Sequence, residues 1–228
     1  MSKPTDSNLR RAFVFLFCAS LVACQAAFGD FKTGEVGGST SSSVGGDSNL
    51  GGLGMGYSLR AALDHLPPSA QVVVAELNRK VVDWNHDVLA SLARSPLGDG
   101  RVKVVVADVA KVIAEARPHA FDAIIFDLYE GPHGNRDRHP LYGNEALVRT
   151  HAALTDGGIF SVWSEESDAP FEERLKKQGF SIERHSSGKG GRVHLVYLAR
   201  AEPLPPARER PARPDPAGRR VRGSSSRR

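Results

Sequence analysis

Residues 25–228 contain no cysteine. The chain's two thiols, Cys18 and Cys24, both lie near its amino end, so the rest cannot form a disulfide, a thiolate metal cluster or a cysteine nucleophile. That suits a reducing compartment. An apolar run of bilayer length is also missing, because Ala12 to Ala23 falls short of the roughly 20 residues a spanning helix needs. A basic domain is lacking too. The formal charge is +4, but residues 203–228 hold eight arginines against Glu209 and Asp215, a net +6 that leaves −2 for residues 1–202. Nucleic acid is therefore not an expected partner. The tail, residues 201–228, is rich in Pro, Arg, Gly and Ser without apolar periodicity, and reads as a disordered, solvated extension rather than an RNA- or lipid-binding arm.

The amino end, residues 1–29, has Arg10-Arg11 before the short apolar run, the form of a secretory signal. Leu21-Val22-Ala23-Cys24 resembles the bacterial lipoprotein cleavage box, which would make Cys24 a lipidated residue and the membrane a partner. Residues 30–50 are mostly Gly, Ser, Thr and Asp, a flexible linker. A fourth absence shows here. A nucleotide-type glycine loop normally follows a buried strand of about five apolar residues, and Gly45 to Leu50 supplies only Leu50. The first central strand is expected to be weak or missing, with the amino end foreign to the domain.

What the chain does contain is organised around Gly51-Gly52-Leu53-Gly54-Met55-Gly56, followed by an apolar helical face of Leu59, Ala62, Leu63 and Leu66. Glycines opening a helix leave backbone N–H groups and the helix dipole free to meet a polar ligand. Gln71–Glu76 follows, a buried-strand pattern ending in an acid at the spacing where a dinucleotide-type fold places a ribose-binding carboxylate. Arg101–Asp108 and Phe121–Asp127 repeat the theme of apolar strand and terminal carboxylate. Helical patterns at Val81–Leu92 and Val109–Ala116 separate them. Strands and helices alternating at this spacing predict right-handed crossovers and a parallel sheet with its ligand beyond the strands' carboxyl ends. Glu76, Asp108 and Asp127 should converge there with the glycine loop, the alternative for each being a helix cap.

Leu128–Arg136 is polar and glycine-rich, and should form a rim over the crevice. Its Asp127-x-x-Glu130 pair could bind an amine or take its proton, while Glu130 alone could be a solvated loop acid and His133 could contact only the loop backbone. A helix over Asn144–Leu154 with Thr155–Gly158 as its C-cap turn comes next. A strand at Ile159–Ser164, a helix near Ala169–Gln178 and an antiparallel hairpin of Phe180–His185 and Arg192–Ala199 close the domain, residues 51–200.

Gly51–Gly56, Val74–Asn78, Val106–Asp108, Ile124–Pro132, Leu141-Tyr142 and Leu154–Gly158 together resemble the spermidine synthase-like family, within the S-adenosylmethionine-dependent methyltransferase fold. The resemblance implies an α/β, Rossmann-like class I methyltransferase sheet, mostly parallel with a C-terminal antiparallel hairpin. It implies S-adenosylmethionine or its decarboxylated form as co-substrate, without a metal. Gly51, Gly52, Gly54 and Gly56 would lie beside the sulfonium chain, Glu76 on the ribose and Asp108 near the adenine. Asp127 would accept the proton of an attacking amine, with Glu130 as the second acid and Tyr142 near the polyamine.

There are three departures. Gly54 stands where the family's synthases carry an aspartate that contacts the aminopropyl amine. Glu130 replaces an aspartate, and the β-rich segment that completes the polyamine pocket has no counterpart in residues 1–50. The leading expectation is aminopropyl transfer from decarboxylated S-adenosylmethionine to a small-molecule amine. The alternatives are an S-adenosylmethionine-dependent small-molecule methyltransferase and a non-catalytic nucleoside-binding remnant. The domain type implies the cytoplasm, against lipoprotein-like export through residues 1–24, and a homodimer is left open.

Overall fold

The structure, a computed structural model, describes the backbone of residues 12–16 and residues 52–128, 131–132, 137–187 and 194–203. The strands are β1 (Ala12–Leu16), β2 (Gln71–Glu76), β3 (Val102–Val106), β4 (Phe121–Phe126), β5 (Leu154–Ser164), β6 (Phe180–Ser187) and β7 (His194–Ala201). They form one seven-stranded sheet in the order β3-β2-β1-β4-β5-β7-β6. β1 to β5 run parallel, and β7 is antiparallel to both β5 and β6.

The expectation of a weak or missing central strand is corrected. Ala12–Leu16, inside the stretch read as an export signal, lies between β2 and β4, with Phe13 opposite Val72 on one side and Ala123 on the other. The physical reason is composition: Ala-Phe-Val-Phe-Leu is a short run of aromatic and branched apolar residues, suited to a strand covered on both faces. The strand does not directly precede the glycine loop, because residues 17–51 intervene. Gly51, Cys24, the linker at 30–50 and the tail beyond residue 203 lie outside the described residues.

Helices cover both faces of the sheet: α1 (Tyr57–His65) and α2 (Arg79–His86) belong to one layer, and α3 (Val109–Ala114), α4 (Asn144–Ala153) and α5 (Ala169–Lys177) to the other. Val72 and Val74 of β2 pack with Leu59, Leu63 and Leu66 of the α1 layer, while Ala75 faces the α3–α5 layer, as the strand period of two requires. Burying Leu59 and Leu63 contributes roughly 2 kcal/mol each. Arg101 ties the end of α1 to the start of β3. Its guanidinium donates to Leu66 O and Leu63 O, each at 2.8 Å, and pairs with Asp99, whose carboxyl it holds down at about 2.

Two further boundaries differ from expectation. The second helix stops at His86 because Asp87 leaves the helical region (φ −123°, ψ −103°), and Ala90–Ala93 forms a separate 3-10 turn. Thr155–Gly158 is not a C-cap turn but part of β5. Leu154 already pairs with Phe121, and the register then jumps to Ala123 with Ile159, so the glycines form a bulge. Among the described residues no helix is long and apolar enough to cross a membrane.

Candidate functional site

The glycine loop leaves residue 52 in a conformation only glycine adopts easily, at φ 135°. A Cβ there would lie 2.0 Å from Glu76 Oε2. The close approach exists because Glu76, at the carboxyl end of β2 and 2% exposed, closes on the loop. Leu53 N–H donates to its Oε2 at 2.7 Å and Asn78 N–H to its Oε1 at 2.8 Å. Burial pushes the Glu76 carboxyl up from its ordinary value, and the N–H groups of Asn78, Leu53 and Leu77 oppose the rise. Each carboxylate oxygen has two lone pairs, so these bonds leave acceptor capacity on the same group.

At the other end of the loop, Gly56 (φ 79°) opens α1, and Ser58 in the first turn donates from Oγ to Asp127 Oδ2 at 3.2 Å. Asp127 follows β4 directly and is 1% exposed, as Ser58 is at 2%. The acids that end β2 and β4 thus grip the two ends of one segment, residues 53 to 58, and both sit where helix and loop amides favour negative charge. A buried carboxylate pair flanking a glycine loop can attract a cation and accept protons or hydroxyl hydrogen bonds.

Asp108, exposed at the end of β3, caps α3, accepting from Ala110 N–H at 2.8 Å. It remains beside the site, because Ala107 N–H donates to Glu76 O at 3.0 Å and joins the ends of β2 and β3. Tyr142 is 1% exposed and lies in the aromatic core, stacked on His139 and edge-on to Phe126 and Phe171. Gly51, Glu130 and His133 lie outside the described residues. A cavity of about 540 Å³ between α3 and α4, floored by Phe126 and Ile113, is lined by none of the expected site residues.

Sequence reasoning missed two members of the site. Ser58 could have been suspected from its place in the first turn of a helix behind a glycine loop. Asn85, buried on α2, donates from Nδ2 to Gly54 O at 2.8 Å. Its signal was a lone amide among Val81, Val82 and Val88 on an apolar helical pattern.

Over 112 residues, 48% of this chain, the sequence is 32% identical to a polyamine aminopropyltransferase of Pyrobaculum calidifontis, and the match covers 38% of that enzyme. The spermidine synthase of Thermotoga maritima has a similar fold, with a TM-score of 0.50 and 19% identity over 64% of this chain and 50% of that one. Also similar is the 1,6-didemethyltoxoflavin-N1-methyltransferase of Burkholderia thailandensis, solved with bound S-adenosylhomocysteine (TM-score 0.47, 22% identity, 67% and 69% covered). No family model matches. The chain spans about half the length of the synthase and less of its sequence relative. Part of the sequence is thus similar to that aminopropyltransferase, and the fold is similar to that of the spermidine synthase.

Proposed function

We propose that this chain is a spermidine synthase-like transferase that moves an aminopropyl group from decarboxylated S-adenosylmethionine to a small-molecule amine in the cytoplasm. The observation that carries the reading is the grip of Glu76 and Asp127 on the two ends of the glycine-loop segment. The match to an aminopropyltransferase, 32% identical over 112 residues, supports it.

In this reading the nucleoside lies along Gly51, Gly52, Gly54 and Gly56, with its ribose hydroxyls donating to the remaining lone pairs of Glu76 and its adenine near Asp108. The co-substrate supplies its own leaving group, a sulfonium. The acceptor nitrogen forms a bond to the carbon beside sulfur as the carbon–sulfur bond breaks, a neutral thioether nucleoside departs, and Asp127 takes the proton from nitrogen. The protein then contributes proximity, orientation and local negative charge for a cationic substrate. Glu130 would be the second acid on the rim and Tyr142 would line the acceptor side from the core.

Gly54 favours a second reading. Without a side chain there, the loop has no acid to meet the aminopropyl ammonium and none to repel a methionine carboxylate, which suits a methyltransferase. Calorimetry with the two sulfonium nucleosides separates these readings. Tighter binding of the decarboxylated form by tenfold or more is expected for aminopropyl transfer, and preference for the carboxylated form would overturn it.

A further inference from the structure

We propose that Asn85 is a positioning residue that sets the glycine loop for nucleoside binding. This inference rests on the nucleoside reading above, but the observations behind it are independent of any relative. Asn85 lies near the end of α2, is 1% exposed, and stands at the edge of the aliphatic layer formed by Leu53, Leu59 and Val82. A core position of that kind is ordinarily apolar, because a buried amide must find partners for two donors and one acceptor or cost stability. Asn85 satisfies its donors and not its acceptor. One Nδ2 hydrogen goes to Val81 O at 2.9 Å in its own helix, and the other crosses to Gly54 O at 2.8 Å. Oδ1 is buried and has no hydrogen-bond donor among the described residues.

Oδ1 sits against Gly56. A Cβ on residue 56 would be 2.9 Å from that oxygen and 2.9 Å from Pro96 Cγ. The amide and the glycine therefore define each other: the loop can turn through φ 79° into α1 only where no side chain separates it from Asn85. The loop closes on itself as well, Gly56 N–H donating to Leu53 O at 2.9 Å. Glu76 holds the loop by its Leu53 N–H and Asn85 by its Gly54 carbonyl, from elements on either side of the turn. With that carbonyl drawn toward α2, the peptide linking Gly54 to Met55 has a fixed orientation. Its N–H, on the opposite edge of the same plane, points away from α2. Binding to a loop already fixed in this way loses less conformational entropy than binding to one that must first be ordered.

The test uses the full chain carrying Asn85→Asp, which keeps the shape but turns an acceptor toward the Gly54 and Val81 carbonyls. Asn85→Ser serves if the first variant does not unfold cooperatively. Leu175→Ala is the control, a fully buried residue in the opposite layer whose loss destabilises without touching the loop. Calorimetric affinity for S-adenosylmethionine and its decarboxylated form is measured below the melting range of each protein, together with the glycine amide NMR shifts. We expect nucleoside affinity about tenfold weaker in the Asn85 variant, with the Gly54 and Gly56 amide signals displaced, and wild-type affinity with undisturbed glycine signals in Leu175→Ala. Unchanged affinity in the Asn85 variant overturns the inference and leaves the nucleoside reading intact, as does an equal loss in the control. A wild-type protein that binds neither nucleoside takes down both.

Discussion

The two faces of the sheet are built from different materials. On the side of α3, α4 and α5 the core is aromatic. Phe126, Tyr142, Phe160, Phe171, Phe180 and Tyr197 meet mostly edge to face, with centroids 5.0 to 6.2 Å apart. On the side of α1 and α2 the core is aliphatic, and polar groups adjoin it: Glu76, Asn85 and Ser58 are all within 2% of complete burial. Aromatic packing supplies stability without directing anything in particular. Buried polar groups contribute less and each must point somewhere, and here all three point at residues 53–58 or at Asp127, which Ser58 meets. The groups that hold the glycine loop lie on the α1–α2 side, so loop binding and overall stability should respond separately to substitution.

The central strand serves both faces, and breaking it should have the largest effect. Val14→Pro removes a ladder N–H in the middle of the sheet, and we expect loss of cooperative unfolding by calorimetry and circular dichroism. Retained cooperativity would return Ala12–Leu16 to its reading as an export signal, since a chain cleaved before Cys24 could not keep this strand. Next comes Phe160→Ala in the aromatic layer, expected to cost about 3–5 kcal/mol in denaturant unfolding while leaving nucleoside affinity unchanged where the protein is folded. Loss of affinity there would erase the division between the faces.

Arg101→Met probes the polar face away from the loop. The folded pKa of Asp99 lies near 2, below its ordinary value of 3.8. Its pairing therefore stabilises fully above pH ~4 and is lost as pH falls through about 2. The substitution should cost roughly 2 kcal/mol at neutral pH and flatten the acid limb of a stability profile. Glu76→Gln should have the smallest stability effect, about 1 kcal/mol. It sets an amide donor against a backbone N–H but removes a carboxylate that burial already disfavours. For Glu76 the sign is opposite to that of Asp99: a raised folded pKa makes ionisation costly, so the wild-type penalty grows as pH rises through that value. Nucleoside affinity, by contrast, should fall at least tenfold in this variant, and an unchanged value would remove Glu76 from the site.

Much of the parallel sheet was legible because Gln71–Glu76, Arg101–Asp108 and Phe121–Asp127 are dense apolar runs closed by carboxylates, with helical periodicity between them. Local patterns of that kind are written in neighbouring residues. What was not legible depends on partners far along the chain. Asn85 acts on residue 54 and Ser58 on residue 127; the local pattern marks each residue as unusual but does not name its distant partner. Asp108 looked equivalent to Glu76 by position, yet it is exposed and caps the helix that begins at Val109. β1 was invisible as a strand for the same reason of distance: its proper neighbours are Val72 and Ala123, not the residues beside it. Leu154 could not be recognised as a strand residue without Phe121 opposite.

The position of β1 sets an order of events in making the protein. Residues 12–16 leave the ribosome before the other strands, but their ladder partners on one side are residues 71–74 and on the other residues 123–126. Until β4 has been synthesised the first strand cannot be enclosed, and joining it means closing two long loops, the slow kind of contact. A chain with β1 unplaced has β2 and β4 facing each other across a vacant slot, with two unpaired edges in the middle of the sheet rather than at its rim. Another copy's Ala-Phe-Val-Phe-Leu would fit that slot as well as its own. The protein should therefore be most prone to aggregation as a nascent or refolding chain, and its yield should depend more on concentration during folding than on the stability of the finished fold.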